Sequence, residues 1–344
     1  MRTVYSKHEI AEMGPLPNAD CGEWLSLERD NQILGARIHR PEVNRSPGEI
    51  IIDDSAWGVN SSTAFDVVRT SQLAKESGLL TIAIETPGMS PYSGPLTPSQ
   101  IEGLKKGDWS LLGRAQWEII TKALQHEGLT FSDDQPLTVH YAGYSMAAST
   151  LIGVLANAPD WTRTGHFIAW ENVALSGSES GFMKFKRARR VAAMMLGFAY
   201  SGLGMRYYRN RAPKVPPEIV STLQNEISDG RRSKVKQSRM QALRAQFMPI
   251  LAMASGGDSE RLCQAIVRRG EQSTACVHLW HGDKSRLLSK RNANNYGKYV
   301  LGSAGINNVD LQHDADGGHN VEDLTPFSVR RYAETIALPL PVAS

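Results

Sequence analysis

The stretch Pro136–Val154, PLTVHYAGYSMAASTLIGV, decides the fold. Its first half reads as a buried strand, and the residues from Met146 to about Asn157 read as a helix. Between them stands Gly143-Tyr144-Ser145-Met146-Ala147, a sharp strand-to-helix turn with a small residue two positions either side of a serine. That pattern lifts the Ser145 hydroxyl onto a tight elbow. The backbone N–H of Met146, at the helix N-terminus, points to where an oxyanion would form.

Outward from this element the chain alternates strands and helices. Upstream, WLSLERDNQILGARIHRP reads as two strands around a polar turn at Arg29 to Asn31, closed by Pro41. A short apolar strand follows at Glu49 to Ile52. Next come a helix from Ser62 to Ser77 that ends at Gly78, the buried strand in LLTIAIETPG, and a helix from about Leu111 to His126. Downstream, HFIAW (166–170), ACVHLWHG (275–282) and Val309 to Gln312 carry strand character, and the last helix includes Phe327 to Ile336. Near-continuous apolar strands separated by helices predict an α/β fold with a mostly parallel central sheet covered on both faces. The alternation breaks at Ser176. The expected division is a core of residues 1–175 and 257–344, with a helical, basic insertion at 176–256.

Composition limits the function classes. With 344 residues, 41% of them apolar, the chain is neither disordered nor collagen-like. The longest apolar-rich run, Val191 to Met205, is too short to span a bilayer, and MRTVYSKHEIAEMGPLPNAD lacks the apolar core of a signal peptide. Cys21, Cys263 and Cys276 have no metal-type spacing and leave one thiol over in any disulfide scheme, so a reducing, cytoplasmic setting is expected. Between Gly181 and Ile250, fifteen Lys and Arg stand against three Asp and Glu in a chain whose net charge is only +3. A basic segment in an otherwise acidic protein attracts anions or simply solvates helix faces. No nucleic-acid recognition motif accompanies it, and no nucleic-acid partner is expected.

The second chemical signal is Asp316-Gly317-Gly318-His319-Asn320, after the final strand. A histidine on a glycine-flanked loop at the sheet's C-terminal edge can act as general base to a serine. Of the nine histidines, His39, His140 and His278 fall within strand patterns and read as packed or surface groups; His319 alone has such a loop.

In the order of these motifs the sequence resembles the α/β-hydrolase superfamily. The resemblance rests on the paired early strands, the Glu85-Thr86-Pro87-Gly88 turn, the Ser145 elbow, the His281-Gly282 turn and the Gly-Gly-His319 loop. It implies a helical cap inserted after the sixth strand, where residues 176–256 lie. It also implies a Ser-His-acid triad that forms an acyl-enzyme with no metal or organic cofactor. The acid usually stands three residues after the glycine of the late His-Gly turn, but here that residue is Ser285. Glu171, after the strand HFIAW, looks like the strand-end glutamate of the haloalkane dehalogenases. Their nucleophile is an aspartate, so Ser145 does not imply dehalogenation. Glu171 is the first choice for the acid; its competing reading is a salt-bridged surface glutamate, and Asp283 and Glu179 are the fallbacks.

In the oxyanion loop, Asp53-Asp54-Ser55-Ala56-Trp57-Gly58 replaces the family's usual His-Gly, and the amide of Ser55 or Ala56 would supply the second donor. Two acids there disfavour an anionic intermediate unless they point away or are paired. In the cap, Met194, Met195, Phe198 and Tyr200 either pack on the core or line an adaptable acyl pocket. The expected function is a serine hydrolase of an ester or related acyl bond, on a small-molecule substrate that could carry an anionic group, with self-association left open. The alternative is an impaired ligand-binding or regulatory protein on the same fold.

Overall fold

The computed structural model describes residues 20–29, 32–54, 64–87, 94–172, 174–175, 189, 217–226, 239–282, 290–314 and 326–341. Its elements run β1 (Glu23–Arg29), β2 (Gln32–His39), β3 (Glu49–Asp54), α1 (Ala64–Ser77), β4 (Leu80–Ile84), α2 (Pro98–Lys105), α3 (Ser110–His126), β5 (Leu137–Tyr144), α4 (Met146–Leu155) and β6 (Thr162–Trp170). Then follow α5 (Pro217–Glu226), α6 (Arg239–Ser255), α7 (Asp258–Arg268), β7 (Cys276–Gly282), α8 (Lys290–Ser303), β8 (Val309–Asp314) and α9 (Pro326–Ile336). The described parts of 176–256 are helical, α5 and α6 among them.

One eight-stranded sheet has the order β1-β2-β4-β3-β5-β6-β7-β8. The β1–β2 and β2–β4 pairs are antiparallel and every other pair is parallel. Ile50, Ile51 and Ile52 are all fully buried: successive side chains point to opposite faces, and both faces are covered. One face packs Ile50, Ile52, Phe167 and Leu279 against Leu112 and Ile119 of α3, Leu151 of α4 and Leu262 of α7. The other packs Ile51, Ile168 and Trp280 against Leu73 of α1 and Val329 and Tyr332 of α9.

The strand order places the site. Chain progression runs from β3 to β4 on one side, then reverses to β5, β6, β7 and β8 on the other. The β3–β4 and β5–β6 crossovers therefore run to opposite sides, a topological switch point of the kind at which open α/β sheets bind ligands beyond the strands' C-terminal ends. The registers Asp54↔Gly143 and Tyr144↔Trp170 bring the ends of β3, β5 and β6 level at that switch point.

Toward the middle of the sheet, three buried imidazoles line up across β5, β6 and β7. The His140 and His166 rings stack at 5.4 Å, and His166 and His278 lie 5.2 Å apart. His166 Nε2–H donates to the Leu338 carbonyl at 3.0 Å, so its Nδ1 accepts from His278 Nε2 at 3.0 Å. Burial pushes His166 down to about 4, helped by its histidine neighbours and opposed by the Leu338 hydrogen bond and Glu49. A histidine kept neutral by the fold takes up its proton more readily unfolded. Its contribution is therefore complete above about pH 6.5 and is lost as pH falls toward 4. The Glu49 and Asp310 carboxyls, held below their ordinary values although burial opposes it, extend the same trend below pH 4.5. The urea midpoint is expected to fall between pH 7 and pH 4 by the equivalent of about 2 kcal/mol. His166→Gln should flatten the part above pH 5; an unchanged slope in that variant assigns the loss elsewhere.

Candidate active site

At the end of β5 the backbone turns at Ser145 with φ 56° and ψ −117°, a conformation that strains a residue with a Cβ by about 1–3 kcal/mol. Surrounding contacts impose it. Ser145 N–H donates to the Trp170 carbonyl at 2.7 Å, and a Cβ on Gly143 would meet Cα and N of Ala148 at 2.7 Å. Helix α4 can thus start directly over β5 only because residue 143 is glycine. Met146 is the first residue of α4, where helix amides lack an intrahelical acceptor.

Among the described residues, the only other non-glycine with positive φ is Glu171, at 54°. It follows β6 as Ser145 follows β5. Its N–H donates to the Trp280 carbonyl at 2.8 Å, and its Oε1 closely accepts the N–H of Gly282 at the end of β7. Glu171 is fully buried, whereas Ser145 keeps 8% of its surface. The serine is thus the more accessible member of the pair. Full burial overturns the alternative of a salt-bridged surface glutamate. The cause is the β6–β7 pairing, which draws residue 171 under Gly282.

The two acids that end β3 both have partners. Arg69 Nη1 donates to Asp53 Oδ1 at 2.9 Å, its Nη2 contacts Asp53 Oδ2 more closely, and its Nε donates to Asp66 Oδ1 at 2.9 Å. Burial pushes Asp53 up to about 6 against the pull of Arg69, which the two carboxylates hold in its charged form. One guanidinium thus stands between two carboxylates and offsets the charge of one of them. Asp54 Oδ2 accepts from Thr86 Oγ1 at 3.1 Å, so the Glu85-Thr86-Pro87 turn anchors the end of β3. Ser55, Ala56, His319, Asp283, Glu179 and Ser285 lie outside the described residues, as do Met194, Met195, Phe198 and Tyr200. β8, which leads to the His319 loop, pairs with β7 up to Gly282↔Asp314.

Four residues near the site, Asp258, Ser149, Asn172 and Arg261, were not singled out by sequence. Asp258, fully buried at the start of α7, accepts from Ser149 Oγ at 2.5 Å, Asn172 Nδ2 at 3.1 Å and Arg261 Nη1 at 2.9 Å. Gly256-Gly257-Asp258-Ser259 signals a helix start, but nothing in sequence links it to Ser149 or Asn172. One grouping among the described residues has metal-ligand spacing, Glu23, His126 and Glu127. Arg40 already bridges its two carboxylates, at 2.7 Å to Glu23 and 2.5 Å to Glu127, so it is an ion-pair cluster at the sheet edge.

No helix among the described residues is long and apolar enough to cross a membrane. No protein-family model matches the sequence, and no curated protein matches it. Solved structures match the fold. A thioesterase domain from the curacin biosynthetic pathway superimposes with TM-score 0.51 at 16% identity, covering 93% of this chain and 100% of that one. A bromoperoxidase from Bacillus anthracis superimposes with TM-score 0.52 at 11% identity, covering 91% and 99%. Both are α/β-hydrolase fold proteins. With its mostly parallel eight-stranded sheet, its helices on both faces and its serine elbow after β5, this chain has the α/β-hydrolase fold.

Proposed function

We propose that this protein is a serine hydrolase of carboxylic esters or related acyl bonds. The observation that carries the reading is the pair of strained residues, Ser145 and Glu171, at the ends of adjacent strands at the topological switch point. Backbone strain persists where the surroundings over-determine it, and it concentrates at functional sites. In this reading Ser145 Oγ attacks the acyl carbonyl, and His319 takes the proton and returns it to the leaving group. Glu171 orients and stabilises the imidazolium. The amides of Met146 and of Ser55 or Ala56 hold the oxyanion, and water releases the acyl-enzyme. The Arg69 pairing of Asp53 supports it, because it removes one negative charge from beside that oxyanion.

Residues 176–256 form the cap in this proposal, giving the acyl pocket its apolar wall and its basic residues an attraction for an anionic substrate group. Cys21, Cys263 and Cys276 form no disulfide with one another, which fits a reducing, cytoplasmic setting. The test is labelling with a fluorophosphonate probe. Wild type is expected to label, and Ser145→Ala and His319→Ala are expected not to, with turnover of short-chain acyl esters following the same pattern. A folded wild-type protein that resists both probe and esters would displace this reading in favour of a ligand-binding protein without turnover.

A further inference from the structure

Resting on the hydrolase reading, we infer that Asp258 is a positioning residue that sets the Glu171 loop against the nucleophile helix. Its carboxylate is the acceptor shared by α4, the segment after Glu171 and α7, beside a longer Ser149 Oγ–Asn172 Oδ1 contact of 3.5 Å. Ser149, the donor at 2.5 Å, lies one helical turn beyond Ser145 on α4. Asn172, the donor at 3.1 Å, directly follows Glu171. Arg261, at 2.9 Å, belongs to α7 and also holds the Gly256 carbonyl at 2.8 Å.

The clasp extends along the backbone. Asn172 Oδ1 accepts the Ala174 N–H at 2.8 Å, Asp258 N–H donates to the Ala174 carbonyl at 2.9 Å, and Ser259 Oγ closely contacts the Leu175 carbonyl. Glu171 is thus fastened to β7 through Gly282, and Asn172, Ala174 and Leu175 to the start of α7. Ser149, Asn172, Asp258 and Ser259 are all buried to 1% exposure or less.

A fully buried carboxylate is costly unless every lone pair is used, and apolar residues of similar shape would hold a helix start at lower cost. What an apolar residue cannot do is join a hydroxyl on one helix to an amide on the acid-bearing loop. The serine and Glu171 are therefore tied twice. Ser145 N–H and the Trp170 carbonyl tie them at the strand ends, and Asp258 ties them one turn deeper. Asp258 is also where the chain re-enters the core after 176–256, through Gly256 and Gly257 at φ 69° and 90°. Displacement of that re-entry point moves Asn172 and, with it, the carboxylate next door.

The clasp needs an acceptor at Asp258, not a charge. Asp258→Ala is expected to lower kcat on p-nitrophenyl butyrate, and the rate of fluorophosphonate labelling, by about 10- to 100-fold, because sub-ångström misplacement of a catalytic group costs that much. KM should stay within about twofold. Asp258→Asn keeps an amide oxygen for Ser149 and Asn172 and gives up only the Arg261 bond, Arg261 still holding the Gly256 carbonyl; it should recover activity to within several-fold of wild type. Ser149→Ala, which cuts one arm and keeps the helix start, provides a second, milder loss in kcat should Asp258→Ala not fold. A merely structural role lowers the melting temperature and leaves kcat of the folded fraction unchanged. Wild-type kcat and labelling in folded Asp258→Ala, with Ser145→Ala and Glu171→Gln inactive, overturns the inference and leaves the hydrolase reading standing. Unimpaired labelling of Ser145→Ala removes both.

Discussion

Glu171→Gln is expected to reduce kcat on a short-chain ester roughly 10³- to 10⁴-fold, with KM and melting temperature little changed. The substitution is nearly isosteric, and its amide oxygen can still accept the Gly282 N–H that the native carboxylate accepts. The buried contact is therefore retained and the charge removed. Without a carboxylate, the imidazolium formed when the base takes the serine proton loses its counter-charge in a water-poor site, where that charge is worth most. An amide also offers an N–H to the imidazole, which holds it in the tautomer that cannot accept the serine proton. Glu171→Ala is the poorer probe, because it also strips Gly282 of its acceptor. The comparison that decides the role is Asp283→Asn and Glu179→Gln. Near-wild-type activity in Glu171→Gln, with collapse in one of these, moves the acid to that position.

How far the sequence was readable follows from the range of each interaction. β3, β4, β5 and β7 declare themselves because burial on both faces favours apolar residues at consecutive positions, as at Ile50-Ile51-Ile52. The serine elbow is legible because its constraint is local: Gly143 lies against the backbone of Ala148, only five residues on. The polar start of β6, Thr162 to Gly165, was not read as strand, since only pairing with β5 makes it one. Helix α8, KRNANNYGKYVLGS, went unread because its polar composition hides the apolar face that Leu301 presents to the core. The doubt raised by Asp53 and Asp54 could not be resolved from sequence. The answer is a cation on the next helix, sixteen residues from Asp53. Likewise Asp258 meets Ser149 across 109 residues, a separation at which only the fold brings side chains together.

Arg69→Met is expected to destabilise the protein by about 3–5 kcal/mol, because it leaves buried charges without their partner. Arg69 is 4% exposed, Asp53 fully buried and Asp66 2% exposed. The guanidinium makes two contacts to Asp53 and one to Asp66, so its loss strands two carboxylates in low dielectric where α1 packs on the sheet. The melting temperature should drop by roughly 5 °C. Stranded carboxyls escape by binding protons, which gives the loss a pH signature opposite in sign to that of His166. An aspartate whose folded value lies above its unfolded one binds more protons folded than unfolded, so stability falls as pH rises through that interval. Asp53 already stands near 6 with its partner present, and removing Arg69 drives it higher. The variant's deficit should thus be smaller at pH 5 than at pH 8. Asp53→Asn combined with Arg69→Met should recover part of the loss by neutralising the deeper acid. A melting temperature within about 1 °C of wild type at both pH values would mean that water reaches Asp53 and that the ion pair is dispensable. In that case solvent, and not Arg69, offsets the Asp53 charge beside the oxyanion loop.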